Sequence, residues 1–88
     1  MITRIAEIRF EHEGEYKVQL IYNHHSSVAS YRVNIVRKVV RNSYFGQETS
    51  WADANEYEYE TTNRRDAIEN FLQVVMDLDL NENEVKYF

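Results

Sequence analysis

The sequence predicts an α+β fold. It implies an antiparallel or mixed β-sheet of four to five strands with one α-helix packed on one face, in a single domain spanning residues 1–88. Three observations carry this expectation. Residues 2–22 and 56–61 alternate apolar or aromatic with polar side chains, the period of a strand with one buried face. Residues 67–78 place apolar side chains at helical spacing instead. Two glycines and no proline leave few connections that depend on special backbone angles.

The first strand runs from Ile2 to Phe10, with Ala6, Ile8 and Phe10 on one face and Glu7, Arg9 and Glu11 on the other. Glu13-Gly14 is a turn, because glycine accepts positive φ. Tyr16, Val18, Leu20 and Tyr22 then alternate with Lys17, Gln19 and Ile21, completing an antiparallel hairpin. Residues 23–27 are polar and turn-prone. A third strand covers about 29–42. Its apolar phase slips, since Val36, Val39 and Val40 leave the odd-numbered face of Tyr31, Val33 and Ile35. A bulge near Arg37-Lys38 would explain the slip. Val36, Val39 and Val40 also have helical spacing, but the density of β-branched residues favours a strand.

Residues 43–55 read as an irregular loop holding Tyr44, Phe45, Gly46 and the lone Trp51. Residues 56–61 alternate strictly, with Glu56, Glu58 and Glu60 forming one acidic strand face. Thr62 or Asn63 caps the following helix by accepting a backbone N–H bond, and Asp66 suits its positive end. Ala67, Ile68, Phe71, Leu72, Val75 and Leu78 form its apolar stripe. Asn81-Glu82-Asn83 ends it, and residues 85–88 form a short last strand. The order is β-β-β-loop-β-α-β. One helix leaves part of such a sheet bare, so the uncovered face must be polar, sealed by the 43–55 loop, or paired with another molecule.

Composition narrows the function. The absence of cysteine excludes disulfides, thiol catalysis and Cys-based zinc sites. No apolar run approaches the ~20 residues of a membrane span, and the N-terminus lacks the apolar core of a signal peptide. A soluble, cytoplasmic protein without a membrane partner is expected. His12, His24 and His25 fit one metal site poorly, because adjacent strand side chains point to opposite faces. Glu56, Glu58 and Glu60 have the spacing of paired acid–base carboxylates, but so short a chain rarely builds the deep cleft such chemistry needs. No nucleophile elbow, phosphate loop or zinc-protease motif occurs. A non-enzymatic protein with no cofactor, no catalytic residue and no metal site is expected.

Charge is split along the chain. Residues 16–47 carry +5 with no acidic side chain, residues 48–88 carry −8, and the first fifteen carry −2, for a net −5. Such a split marks electrostatic recognition, across an interface or within the fold. The acidic residues Glu56, Glu58, Glu60, Asp77, Asp79, Glu82 and Glu84 form a candidate surface for the cationic groove of a nucleic-acid-handling protein. The alternative uses Arg32, Arg37, Lys38 and Arg41 with Tyr31 and Tyr44 to bind nucleic acid directly. The net charge opposes that alternative. The bland alternative is cross-strand ion pairing of the Glu56–Glu60 row with Arg32 and Lys38. Homodimerisation through the uncovered sheet face is a further option, and seven tyrosines are in keeping with an interface.

Glu56-Tyr57-Glu58-Tyr59-Glu60 runs into the capped helix that begins Thr62-Asn63-Arg64-Arg65-Asp66-Ala67-Ile68. In this acidic strand followed by a helix, and in its size, acidity and lack of cysteine and proline, the chain resembles small phage-encoded inhibitors of host defence, the anti-CRISPR and anti-restriction proteins. That resemblance rests on no motif. It implies a protein that binds a Cas or restriction protein and blocks its DNA site.

Overall fold

The computed structural model describes residues 2–25, 28–54 and 59–88, with His25, Val28 and Tyr59 described by backbone only. The fold is α+β: a six-stranded antiparallel sheet with a single helix packed on it. The strands are β1 (Ile2–Glu11), β2 (Glu15–His25), β3 (Val28–Ser43), β4 (Gly46–Asp53), β5 (Tyr59–Thr61) and β6 (Lys86–Tyr87). Helix α1 spans Arg64–Asp77 and a single 3-10 turn spans Glu82–Glu84. The order across the sheet is β4-β3-β2-β1-β6, and β5 pairs with β3 beside its N-terminal half. The chain therefore meanders through four strands, and α1 then carries it back across the sheet to the free edge of β1.

The sequence periods explain each element. Cross-strand partners share a face, so the register sets Ala6, Leu20 and Val33 in one row and Ile8, Val18 and Ile35 in the next. All six are buried, and α1 seats Ala67, Phe71, Val74 and Val75 on them. This is the helix face. Asn63 caps α1, its side-chain oxygen accepting from the Asp66 N–H at 3.1 Å. The helix ends in a Schellman closure, with the Leu80 N–H donating to Val75 C=O and the Asp79 N–H to Met76 C=O. Asp79 takes the left-handed conformation this requires (φ 59°), and Leu80 returns to the core.

Four local expectations change. The 43–55 stretch is not a loop: Ser43 pairs with Gly46, and β4 continues antiparallel to β3 as far as Val36 opposite Asp53. This strand was hidden because Gly46–Asp53 is polar and mostly exposed, so no alternation with a core marks it. It brings the sheet to six strands rather than four to five. Second, β3 keeps unbroken register with β2 as far as Arg37 and with β4 across Arg37-Lys38. The irregularity lies in β1 between Arg4 and Ala6, where Ile5 is the extra residue and packs on the core. The apolar phase of β3 slips because Val36 is buried on the opposite, open face. Third, β2 extends to His25, so most of the 23–27 segment is strand rather than turn. Fourth, Leu78 caps the helix and is partly exposed, while Val74 takes the buried place in the stripe.

Phe71 is fully buried at the centre of this contact. Phe71→Ala is expected to lower the unfolding free energy by about 3–5 kcal/mol in urea titrations, with Phe71→Leu losing much less. A loss below ~1 kcal/mol for the alanine variant would mean that α1 is not seated on this face.

Candidate interaction surface

The open face of the sheet is built from the polar half of each alternation. Reading across it, Arg4, Glu7 and Arg9 of β1 lie beside Lys17, Gln19 and Ile21 of β2, then Arg32, Asn34, Val36 and Lys38 of β3, and finally Trp51 and Asp53 of β4. Opposite charges meet at three points on this face, although the register also sets Arg9 opposite Lys17. Lys17 Nζ is 3.8 Å from Glu7 Oε2, and Arg32 Nη2 is 3.8 Å from Glu60 Oε2. Lys38 Nζ is 2.8 Å from Glu15 Oε2. The Glu7–Lys17 pair is buried. Trp51 reaches across from β4 to lie 4.2 Å from Lys17 Nζ and 5.8 Å from the Arg9 guanidinium, ring centroid to cation. Both are favourable cation–π distances. Two shallow clefts flank this cluster: one of about 290 Å³ beside Trp51, Glu11 and Glu15, and one of about 310 Å³ between Glu7, Arg9, Glu84 and Lys86.

The sequence-predicted acidic surface divides. Glu56 and Glu58 lie outside the described residues. Glu60 sits on β5, where Arg32 pairs with it and the Ser30 hydroxyl donates to its Oε1 at 2.6 Å. Asp77, Asp79, Glu82 and Glu84 lie at the C-terminal end of α1 and on the 3-10 turn just before β6. β5 and β6 are separated by β3, β2 and β1, four strand spacings or about 19 Å. Glu60 and the 77–84 group therefore mark opposite edges of the sheet. A single surface joining residues 56–60 to 77–84 is not formed by the described residues.

The 77–84 group has its own logic. Asp77 accepts from the Gln73 amide at 2.8 Å. Among the described residues no cation lies within ion-pair distance of any of the four carboxylates. The last turn of α1 has no basic side chain, so Asp77 and Asp79 stand at the negative end of the helix dipole, where carboxylates are disfavoured. The fold therefore holds these charges at some cost and without internal neutralisation.

The basic set divides as well. Arg32 and Lys38 lie on the open face and are paired with carboxylates. Arg37 and Arg41 lie on the helix face, and Arg37 stacks 5.8 Å from the Tyr16 ring. That ring in turn stacks on Phe10 at 5.2 Å. Tyr31 packs against Tyr22 at the margin of the core. Tyr44 stands alone at the tip of the β3–β4 hairpin beside Phe45. The six residues do not share one surface.

Tyr44 was expected only within the alternative nucleic-acid-binding set, and its exposed pairing with Phe45 at a hairpin tip was not expected. Tyr44 and Phe45 are 99% and 95% exposed and occupy the two-residue turn before Gly46, whose φ of 122° needs glycine. Turn positions favour Asn, Asp, Gly and Ser. Two aromatics there serve neither turn chemistry nor the core. The signal in the sequence is this pair placed directly before one of only two glycines.

Among the described residues no group of His, Asp or Glu could hold a metal ion, and no helix is long and apolar enough to cross a membrane. A scan against protein-family models found no match, and searches of curated proteins and of solved structures found none either.

The Lys38 ammonium, hydrogen-bonded to Glu15 and close to it in charge, holds the Glu15 carboxyl below its usual range. A depressed carboxyl contributes stability above its unfolded pKa, and that contribution is lost as pH falls through the folded value. Lys38→Met is expected to return the Glu15 titration, followed by carboxyl-carbon NMR, toward the ordinary glutamate range. It should also remove this contribution from the acid limb of the stability profile. An unchanged Glu15 titration would show that the pair does not form in solution.

Proposed function

We propose that this chain is a non-enzymatic protein-interaction module that binds a nucleic-acid-handling protein through carboxylates at its C-terminal end. It would act as a phage-type inhibitor of the anti-CRISPR or anti-restriction kind. The observation that carries this reading is the placement of Asp77, Asp79, Glu82 and Glu84. They are four carboxylates within eight residues, held on a capped helix end and a 3-10 turn, with no cation among the described residues neutralising them and the helix dipole opposed to two of them. Elsewhere much of the charge split is consumed by pairing inside the sheet, as in Arg32–Glu60 and Lys38–Glu15. A rigid, unneutralised acidic projection complements a groove built to neutralise phosphates. The surface is smaller than the 56–60 plus 77–84 surface expected from sequence. Direct nucleic-acid binding draws less support, because the cations divide between two faces and the net charge is −5.

The test is a panel of purified Cas and restriction nucleases assayed for DNA binding with and without the protein. One member is expected to lose DNA binding, with potency falling as salt rises. The variant Asp77→Asn/Asp79→Asn/Glu82→Gln/Glu84→Gln, checked for an unchanged circular dichroism spectrum, is expected to be about ten-fold or more weaker. Full potency in the folded quadruple variant would overturn the site, and an unaffected panel would overturn the inhibitor reading.

A further inference from the structure

The β3–β4 hairpin extends beyond the body of the sheet. β2 stops pairing with β3 at Tyr16 opposite Arg37, so β3 from Lys38 to Ser43 is paired only with β4. The result is a two-stranded arm roughly 20 Å long, and two-stranded ribbons are at best marginally stable by themselves. Among the described residues no strand lies outside β4. The strand has eight residues and contains no lysine, arginine or proline, and its register with β3 is free of bulges. Its only edge-blocking features are the carboxylates of Glu48 and Asp53.

The hydrogen-bond phase of that edge is fixed. The Ala54 N–H donates to Ile35 C=O at 3.0 Å. Antiparallel ladders alternate residue by residue, so Ala52, Ser50 and Glu48 turn their backbone groups toward β3. Asp53, Trp51, Thr49 and Gln47 turn theirs outward.

We propose that the outer edge of β4 pairs with the same edge of a second copy of this chain, antiparallel about a two-fold axis at Ser50. Sheet faces are preserved across such a pair only when residues of the same parity meet. Centring on Ser50 sets Thr49 opposite Trp51 of the other copy and Gln47 opposite Asp53. All four outward residues on each strand are then satisfied, giving about eight ladder hydrogen bonds. Centring on Thr49 instead leaves Asp53 unpaired, and centring on Glu48 sets two carboxylates face to face. The chosen register also forms two aromatic–β-branched pairs, which are favourable neighbours in a sheet, and it sets no like charges opposite each other. This register carries each Tyr44-Phe45 tip past Asp53 of the other copy. The other edge of the arm, on β3, is a poorer choice. It carries Lys38 and abuts Glu15 at the end of the β1–β2 hairpin.

Sedimentation equilibrium of the intact chain tests this. At about 100 μM the expected mass is twice the 10.6 kDa of one chain. Association should strengthen with added salt, because two chains of charge −5 repel each other. That salt dependence is opposite in sign to the one expected for the acidic partner site, so the two ideas fail separately. Thr49→Pro removes an outward N–H without touching the β3 ladder and is expected to give monomers with an unchanged helical signal. Ser50→Lys places two ammonium groups across the axis and is expected to do the same, should the proline variant fold poorly. A wild-type chain that stays monomeric at this concentration, or a dimer that survives Ser50→Lys, would overturn the proposal.

Discussion

The structure depends on one helix covering the apolar face of a sheet too large for it. Phe71, with Ala67, Val74 and Val75, lies over the rows Ala6–Leu20–Val33 and Ile8–Val18–Ile35. Without that contact the strands would expose an apolar face no other element could cover, because the connections are short and the chain has no disulfide. The helix is anchored at both ends, by the Asn63 cap and by the left-handed Asp79 closure. Its footprint decides what lies beyond it. The Phe10–Tyr16–Arg37 stack sits at the margin of the core, and in the β3–β4 arm β3 from Lys38 to Ser43 is paired, among the described residues, only with β4.

The same constraint organises the charges. With most apolar residues committed to the helix face, the polar half of each strand faces the other side, where Glu7, Lys17, Ile21 and Val36 are nonetheless buried. There the basic middle of the chain finds carboxylates from both flanking segments: Glu7 and Glu15 from the first, Glu60 from the last. The Arg32–Glu60 and Lys38–Glu15 pairs are partly exposed and add little stability, but they cancel charge locally, as does the buried Glu7–Lys17 pair. Asp77, Asp79, Glu82 and Glu84, where α1 ends, take part in none of the ion pairs formed by the described residues. The proposed recognition surface is this group of four.

The sequence was legible where a residue's neighbours in the chain decide its environment. Alternation in residues 2–22 placed Ala6, Ile8, Val18 and Leu20 correctly because each strand has one face under the helix. The position of Phe71 followed from helical spacing, and the cap was narrowed to Thr62 or Asn63, of which the structure uses Asn63. Legibility failed where environment is set by distant strands. β4 has no buried face, so its polar sequence looked like loop, and the arm with its Tyr44-Phe45 tip went unseen. Val36 looked like a phase error because it is buried on a face expected to be polar. The acidic residues of β5 and of the 77–84 segment looked like one surface because they are close in sequence, while the order β5-β3-β2-β1-β6 sends them to opposite edges. Strand order was the missing information in each case.

Amide hydrogen exchange on the dilute, monomeric protein tests most directly whether a single helix footprint divides the molecule into a supported body and an unsupported arm. Val18, Leu20, Val33, Ile35 and Phe71 through Val75 are expected to exchange slowest and together, through global unfolding. The inward-pointing amides of Val39, Arg41, Glu48 and Ser50, although hydrogen-bonded, should exchange orders of magnitude faster through local opening. Arm amides as slow as those of Val18 and Phe71 in the monomer would contradict the account.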